Sequence, residues 1–318
     1  MSANQGAMPA TFGREGVVDR KTVKRLSKRT DRDGLWRLAG HLGVLGATGL
    51  LVWLALGSWF LLPALLLHGA VMAFLFAPTH ECSHGTAFRS RRLNEAVYWL
   101  VCLIYLVPPT MFRYSHAHHH TYTQVRGRDH DMLDERMSFA GYLLFISGYR
   151  FWKRGLRWFF LHPFGKVAAI DREVLPSGAL PAVVREARII MALYAALVVI
   201  SVASGSLLLL WVWILPRFLG EPFMRWLRIA EHGDCEESGN LLHNTRTTRA
   251  PAWLHFLFWN MSYHSEHHLC PMVPFHALPA LHESVGASLH PVGSSYLSVH
   301  GGVLRNIAAR RRSTLVTE

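Results

Sequence analysis

The feature that most constrains this chain is a run of 19 residues, 38–56, that contains no acid, Lys or Arg. A helix of that length crosses the hydrocarbon core of a bilayer. Gly57-Ser58 interrupts it, and 59–79 supplies a second uncharged run that ends at His80. A break that short makes the two runs a helical hairpin. A second apolar block, 189–219, is interrupted by Ser204-Gly205-Ser206. With Pro181 as a first helical residue, a third helix is predicted from there to about Ala203. A fourth is predicted from Leu207, through a kink at Pro216, to His232. The expected fold is thus an all-α membrane protein with four transmembrane helices in two hairpins.

Charge gives that fold an orientation. The formal net charge is +12, although only 17% of residues are charged and 51% are apolar. Neither hairpin tip carries Lys or Arg. The cations gather in the N-terminal tail (Lys21, Lys24, Arg25, Lys28, Arg29), in Arg89-Ser90-Arg91-Arg92 and in Arg310-Arg311-Arg312. This positive-inside pattern predicts cytoplasmic termini and a basic cytoplasmic face, and it argues against a nucleic-acid binder, which would lack the long apolar runs. Arg217 is the exception: inside the fourth helix it is expected to snorkel, or to mark a helix that sits shallow. Residues 96–107, apolar but only 12 long, are predicted as an interfacial or re-entrant helix, and 142–145 and 158–160 as interfacial contacts. Three regions follow: a basic tail (1–37), a membrane domain (38–285) and a C-terminal tail (286–318). Cys82, Cys102, Cys235 and Cys270 form no CxxC pair and read as reduced thiols.

The 20 histidines cluster on the basic side. His80-Glu81-Cys82-Ser83-His84 puts two imidazoles on one helical face at i and i+4. His116-Ala117-His118-His119-His120 and His264-Ser265-Glu266-His267-His268 are both HxxHH patterns, in which i, i+3 and i+4 converge. His118 falls on the wrong face. One further imidazole, His232, ends the fourth helix. Nine imidazoles exceed what one metal ion uses and suit two. Imidazole alone does not name the metal; the membrane setting and the lack of thiolates favour redox iron over structural zinc.

Two other readings leave features unused. His80-Glu81-xx-His84 is also HExxH, the zinc-protease pattern with Glu81 as general base, but it leaves both HxxHH segments unexplained. A metal transporter would place its ligands at mid-depth in the bilayer, not at helix ends.

HxxxH, HxxHH and HxxHH separated by apolar hairpins resemble the three histidine boxes of the membrane fatty acid desaturase superfamily. Two neighbouring stretches share the likeness: Thr121-Tyr122-Thr123 with Arg128-Asp129-His130-Asp131, and Trp259-Asn260-Met261-Ser262-Tyr263 with 271–278. His130 departs from the proline often found at its position. The likeness covers roughly 40–285 and is closest to bacterial members. It implies a histidine-rich di-iron cap on the cytosolic side, in a multi-pass protein of the bacterial inner membrane. The implied ligands of the two iron ions are His80, His84, His116, His119, His120, His232, His264, His267 and His268. Some members hold one iron through an asparagine-bound water four residues before the isolated histidine; here that residue is Arg228. Asp129, Asp131, Glu231 and Glu266 are candidates to accept the outward N–H of a ligand imidazole, and Asn260 and Arg228 are further neighbours of the boxes.

The resemblance also implies dioxygen-dependent oxidation of an unactivated C–H bond. Desaturation of a fatty-acyl or lipid chain is the first expectation. Hydroxylation of a lipid or smaller substrate by a monooxygenase on the same scaffold is the second. Electrons are expected from a separate ferredoxin or similar carrier docked on the basic face.

Overall fold

The computed structural model describes residues 16–133 and 137–317, so the first fifteen residues of the expected basic tail lie outside it. The described part of the tail is ordered into α1 (Arg20–Leu26), capped by the Asp19 carboxylate, which accepts from the Lys21 and Thr22 amides. α2 (Asp31–Ala55) starts ahead of the apolar run. There Thr30 Oγ1 accepts from the Asp33 amide at 3.1 Å, and Asp31 and Asp33 sit at the positive helix end. Gly57, at φ +77°, makes the hairpin tip.

The predicted second helix is divided into α3 (Leu61–Ala73) and α4 (Phe76–His84). Pro78 has no N–H to give to the Phe74 carbonyl, and the Ala77 amide takes that oxygen instead at 2.9 Å. α5 (Arg91–Tyr105) and α6 (Pro109–Tyr122) meet at 93° across a turn in which Leu106 has φ +59°. α5 is the expected short apolar helix, started earlier than its apolar run by the Ser90 cap. α7 (Phe139–Ile146) and α8 (Tyr149–Leu161) cover the two expected interfacial patches. On α8, Arg150, Lys153 and Arg157 share an exposed face while Trp158 is buried, a pattern that suits an interfacial helix. A short α9 (Ala169–Glu173) leads to α10 (Leu180–Ala203), which opens with Pro181 as predicted.

Among the described residues, three helical segments are long and apolar enough to cross a membrane: α2, α3 with α4 (Leu61–His84), and α10; the bent α5–α6 pair is a fourth candidate. Their outward faces carry exposed Leu50, Leu54, Leu62, Val198 and Val199, the surface a lipid-facing helix presents. The fourth predicted span differs. It is helical from Leu208 through a π turn at Leu210–Ile214 into α11 (Leu215–His232), but α11 carries Arg217, Glu221, Arg225, Arg228 and Glu231. Arg217 does not snorkel. It is 2% exposed, pairs with Glu221 at 2.7 Å and lies 4.1 Å from the Tyr105 ring centroid and 4.7 Å from that of Trp152. Arg225 shares the same carboxylate at 2.6 Å. Protein, not lipid, surrounds these charges.

α11 packs on α3 where two glycines meet: a Cβ on Gly220 would lie 1.9 Å from the Gly69 carbonyl oxygen. Small residues let the two backbones touch. Beyond α11 come α12 (Ala252–Leu257), α13 (His264–Leu269), α14 (Leu278–Val285) and α15 (Tyr296–Thr317). The expected C-terminal tail is part of the fold. β2 (Val292–Gly293) pairs in parallel with β1 (Thr247–Thr248), and α15 buries Val299, Val303 and Ile307 in the core. His300, also on α15, stacks on Trp226 at 4.3 Å and accepts from or donates to Tyr142 Oη at 2.8 Å.

Candidate metal centre

Four helices, α4, α6, α11 and α13, deliver the nine box and near-box histidines to one place. His80, His84, His116, His120 and His267 form one group whose candidate ligand atoms all lie within 4.8 Å of one another. His119, His232 and His268 form a second on the same criterion. His264 joins it, with Nε2 2.9 Å from His232 Nε2 and 3.0 Å from His268 Nε2. The groups touch through His120 and His268, whose rings stack at 4.1 Å. His118 is outside both, stacked on His130 at 4.9 Å and tilted against Tyr122 at 4.8 Å.

The donor set fits metal ions. Within the first group, His84 and His116 bring their Nε2 atoms to 2.9 Å, His116 and His120 to 3.0 Å, and His120 and His267 to 3.2 Å. Imidazole–metal bonds of about 2.1 Å place adjacent ligand nitrogens of an octahedron about 3.0 Å apart. His80 Nε2 and His119 Nε2 are buried with no hydrogen-bond partner, as ligand atoms are. Burial holds His264, His267 and His268 well below the ordinary histidine pKa, so they are neutral and ready to bind metal.

Outer partners aim some of these rings. Gln124, at φ +58°, turns the chain after α6 so that Asp129 receives the Gln124 amide at 2.9 Å and faces back to His119. Both Asp129 oxygens lie 3.0 Å from His119 Nδ1, which leaves Nε2 for the centre. Thr123 does the same for His268. Its hydroxyl donates to the His119 carbonyl at 2.6 Å, so its oxygen accepts from His268 Nδ1 at 3.0 Å. Thr123 was not among the sequence candidates; its signal is a hydroxyl at i+4 from a box histidine, placed to bond back to the helix.

The remaining candidates divide. Glu231 stands 3.7 Å from His264 Nδ1, and Arg228 stands 3.9 Å from Glu231. Asp131 holds Arg154 at 3.0 Å rather than an imidazole of either group. Glu266 accepts from Thr247 Oγ1 and pairs with His282 Nδ1, a bond that raises the His282 pKa. Asn260 donates to the Phe275 carbonyl at 2.9 Å and shapes the turn before α13. Glu81 is fully buried on the outer side of the first group, 3.9 Å from the Nδ1 atoms of both His80 and His267. A zinc-protease base must face metal-bound water, on the Nε2 side, so this placement removes the HExxH reading.

Over 89 residues the chain is 33% identical to an sn-1 oleoyl-lipid 12-desaturase of Picosynechococcus sp., covering 28% of this chain and 26% of that protein. Over 83 residues it is 32% identical to the sn-1 oleoyl-lipid 12-desaturase of Anabaena variabilis, covering 26% of this chain and 24% of that protein. The chain thus spans about a quarter of the length of these relatives. The sequence profile of the fatty acid desaturase family matches residues 51–300, which hold all nine histidines and the helices that carry them, and the chain belongs to that family.

Proposed function

We propose that this protein is a membrane-bound di-iron oxidoreductase that desaturates a fatty-acyl or lipid chain. The observation that carries the reading is the pair of touching histidine groups, five imidazoles and four, with ligand nitrogens at the spacing of a metal's coordination edges. When bound, iron supplies the reductive activation of dioxygen that makes an unactivated C–H bond attackable. The balance is one dioxygen, two electrons, two protons and two substrate hydrogens, giving one double bond and two waters. The electrons come from a separate carrier such as a ferredoxin, drawn to the basic face.

The chain's own residues hold and aim the metals and keep water out. Asp129 and Thr123 fix two rings, and the core packed around α13 seals His264, His267 and His268 from solvent. An apolar cavity of about 440 Å³, lined by Leu45, Gly49, Met72, Leu75, Ile104 and Val212, opens beside α3 and suits a hydrocarbon ligand. Four spans in two hairpins, with both termini and the histidines on the cytoplasmic side of a bacterial inner membrane, fit the charge pattern. The two relatives, both named as desaturases, favour desaturation over hydroxylation.

The test is plasma mass spectrometry of detergent-purified protein, followed by incubation with acyl lipid, reductant, carrier and dioxygen. Two irons per chain and a product lacking two hydrogens are expected. A product gaining one oxygen would replace desaturase by hydroxylase, and zinc retained natively with no iron would end the oxidative reading.

A further inference from the structure

Of the buried polar atoms without partners on the outer side of the five-histidine group, His120 Nδ1 among them, three lie together. Glu81 Oε1, His80 Nδ1 and His267 Nδ1 are all sealed from solvent, and none makes a hydrogen bond. The carboxylate oxygen lies 3.9 Å from each nitrogen and so faces both. The other carboxylate oxygen is fixed: Glu81 Oε2 accepts from Thr86 Oγ1 at 2.8 Å and from the Phe275 amide at 3.2 Å. Glu81 therefore stands between the helix of the first box and the segment that follows the third.

The geometry points to Glu81 as a positioning residue for the five-histidine group: Oε1 accepts the Nδ1–H of both His80 and His267 and so aims both Nε2 atoms at the same metal. This rests on the di-iron reading above. A buried carboxylate with one oxygen anchored can close on both rings by a shift of about 1 Å, which brings the contacts into hydrogen-bond range. It also fixes the tautomer, because a proton held on Nδ1 leaves the Nε2 lone pair free. The glutamate of the HExxH segment thereby acquires a use that requires it to face away from the metal.

Glu81→Gln separates this role from a merely structural one. A glutamine oxygen still accepts from Thr86 and Phe275, so a role confined to packing predicts no change in metal content. Its amide, however, presents donors to two Nδ1–H donors and drives the rings to the tautomer that cannot ligate. The measurement is iron per chain by plasma mass spectrometry with Mössbauer spectra of enriched protein, alongside thermal unfolding. Loss of about half the iron, confined to one of two iron signals, is expected. Unchanged iron and an unchanged spectrum would overturn the proposal.

If Glu81→Gln fails to accumulate, Glu81→Asp keeps the carboxylate one methylene further from the rings. It should weaken iron retention in the same signal; native retention with a native spectrum would again overturn the assignment. Wild-type protein that binds no metal overturns both this proposal and the di-iron reading, whereas a normal wild type with an indifferent Glu81→Gln overturns this one alone.

Discussion

In the four-histidine group, His119 and His268 give their outward nitrogens to formed hydrogen bonds, at 3.0 Å to Asp129 and 3.0 Å to Thr123. In the five-histidine group, His80 and His267 face a single carboxylate oxygen from 3.9 Å. The same side chain thus occurs in two states of preparation. One half of the centre has His119 aimed from within the turn after α6 and His268, on α13, aimed by Thr123 of that same turn, while His232 and His264 keep unpaired Nδ1 atoms. The other is aimed by a residue that must reconcile α4 with α13, segments almost two hundred residues apart in the chain.

The largest effect should come from deleting a ligand of the less prepared half. His267→Ala should remove one iron and abolish turnover; if both irons stay bound, the five-histidine grouping is wrong. Asp129→Asn should cost about 10–100-fold in iron affinity or activity, read by chelator competition, since it leaves His119 unaimed. An effect spread equally over both irons would erase the contrast between the halves. Gly220→Ala tests what they share. The α3–α11 crossing supports the helix leading to α4 and the one ending at His232, so overpacking there should lower stability by about 1–3 kcal/mol and perturb both groups together. Thr123→Val should be milder, about 0.5–1.5 kcal/mol for one hydrogen bond, visible as a few-fold faster iron loss from the four-histidine half alone. Smallest of all is His118→Ala, which should retain both irons; loss of either would show that the register of the second box is shifted by one residue.

Box spacing and uncharged run length were readable in the amino-acid order because each is set by a local period. Helix starts were less so: α2 begins where Thr30 caps it, seven residues before its apolar run. The break after Ala73 hides inside an uncharged stretch and depends on Pro78. Among the acids near the boxes, nothing in the order of residues distinguishes Asp129 from Asp131. The backbone turn at Gln124 does, by bringing one to His119 and leaving the other to Arg154. The contacts of Thr123 with His268 and of Glu81 with His267 were not legible for a related reason, since each joins residues more than a hundred positions apart. The last region was misjudged because its apolar residues are few; they still suffice to dock α15 on α11 and α7.

The π turn at Leu210–Ile214 sets the phase of the helix that ends at His232. A π turn accommodates one extra residue in an otherwise α-helical path, and one residue is about 100° of rotation. Pro216 follows at once; the Val212 carbonyl it cannot serve is met by His68 Nε2 at 3.0 Å, across the gap from α3. Upstream of this point the helix shows its apolar side to its surroundings, and downstream it must show His232 to the centre. Deleting a single residue here would leave every ligand in place by name while swinging the last one out of reach, like a gear set one tooth off.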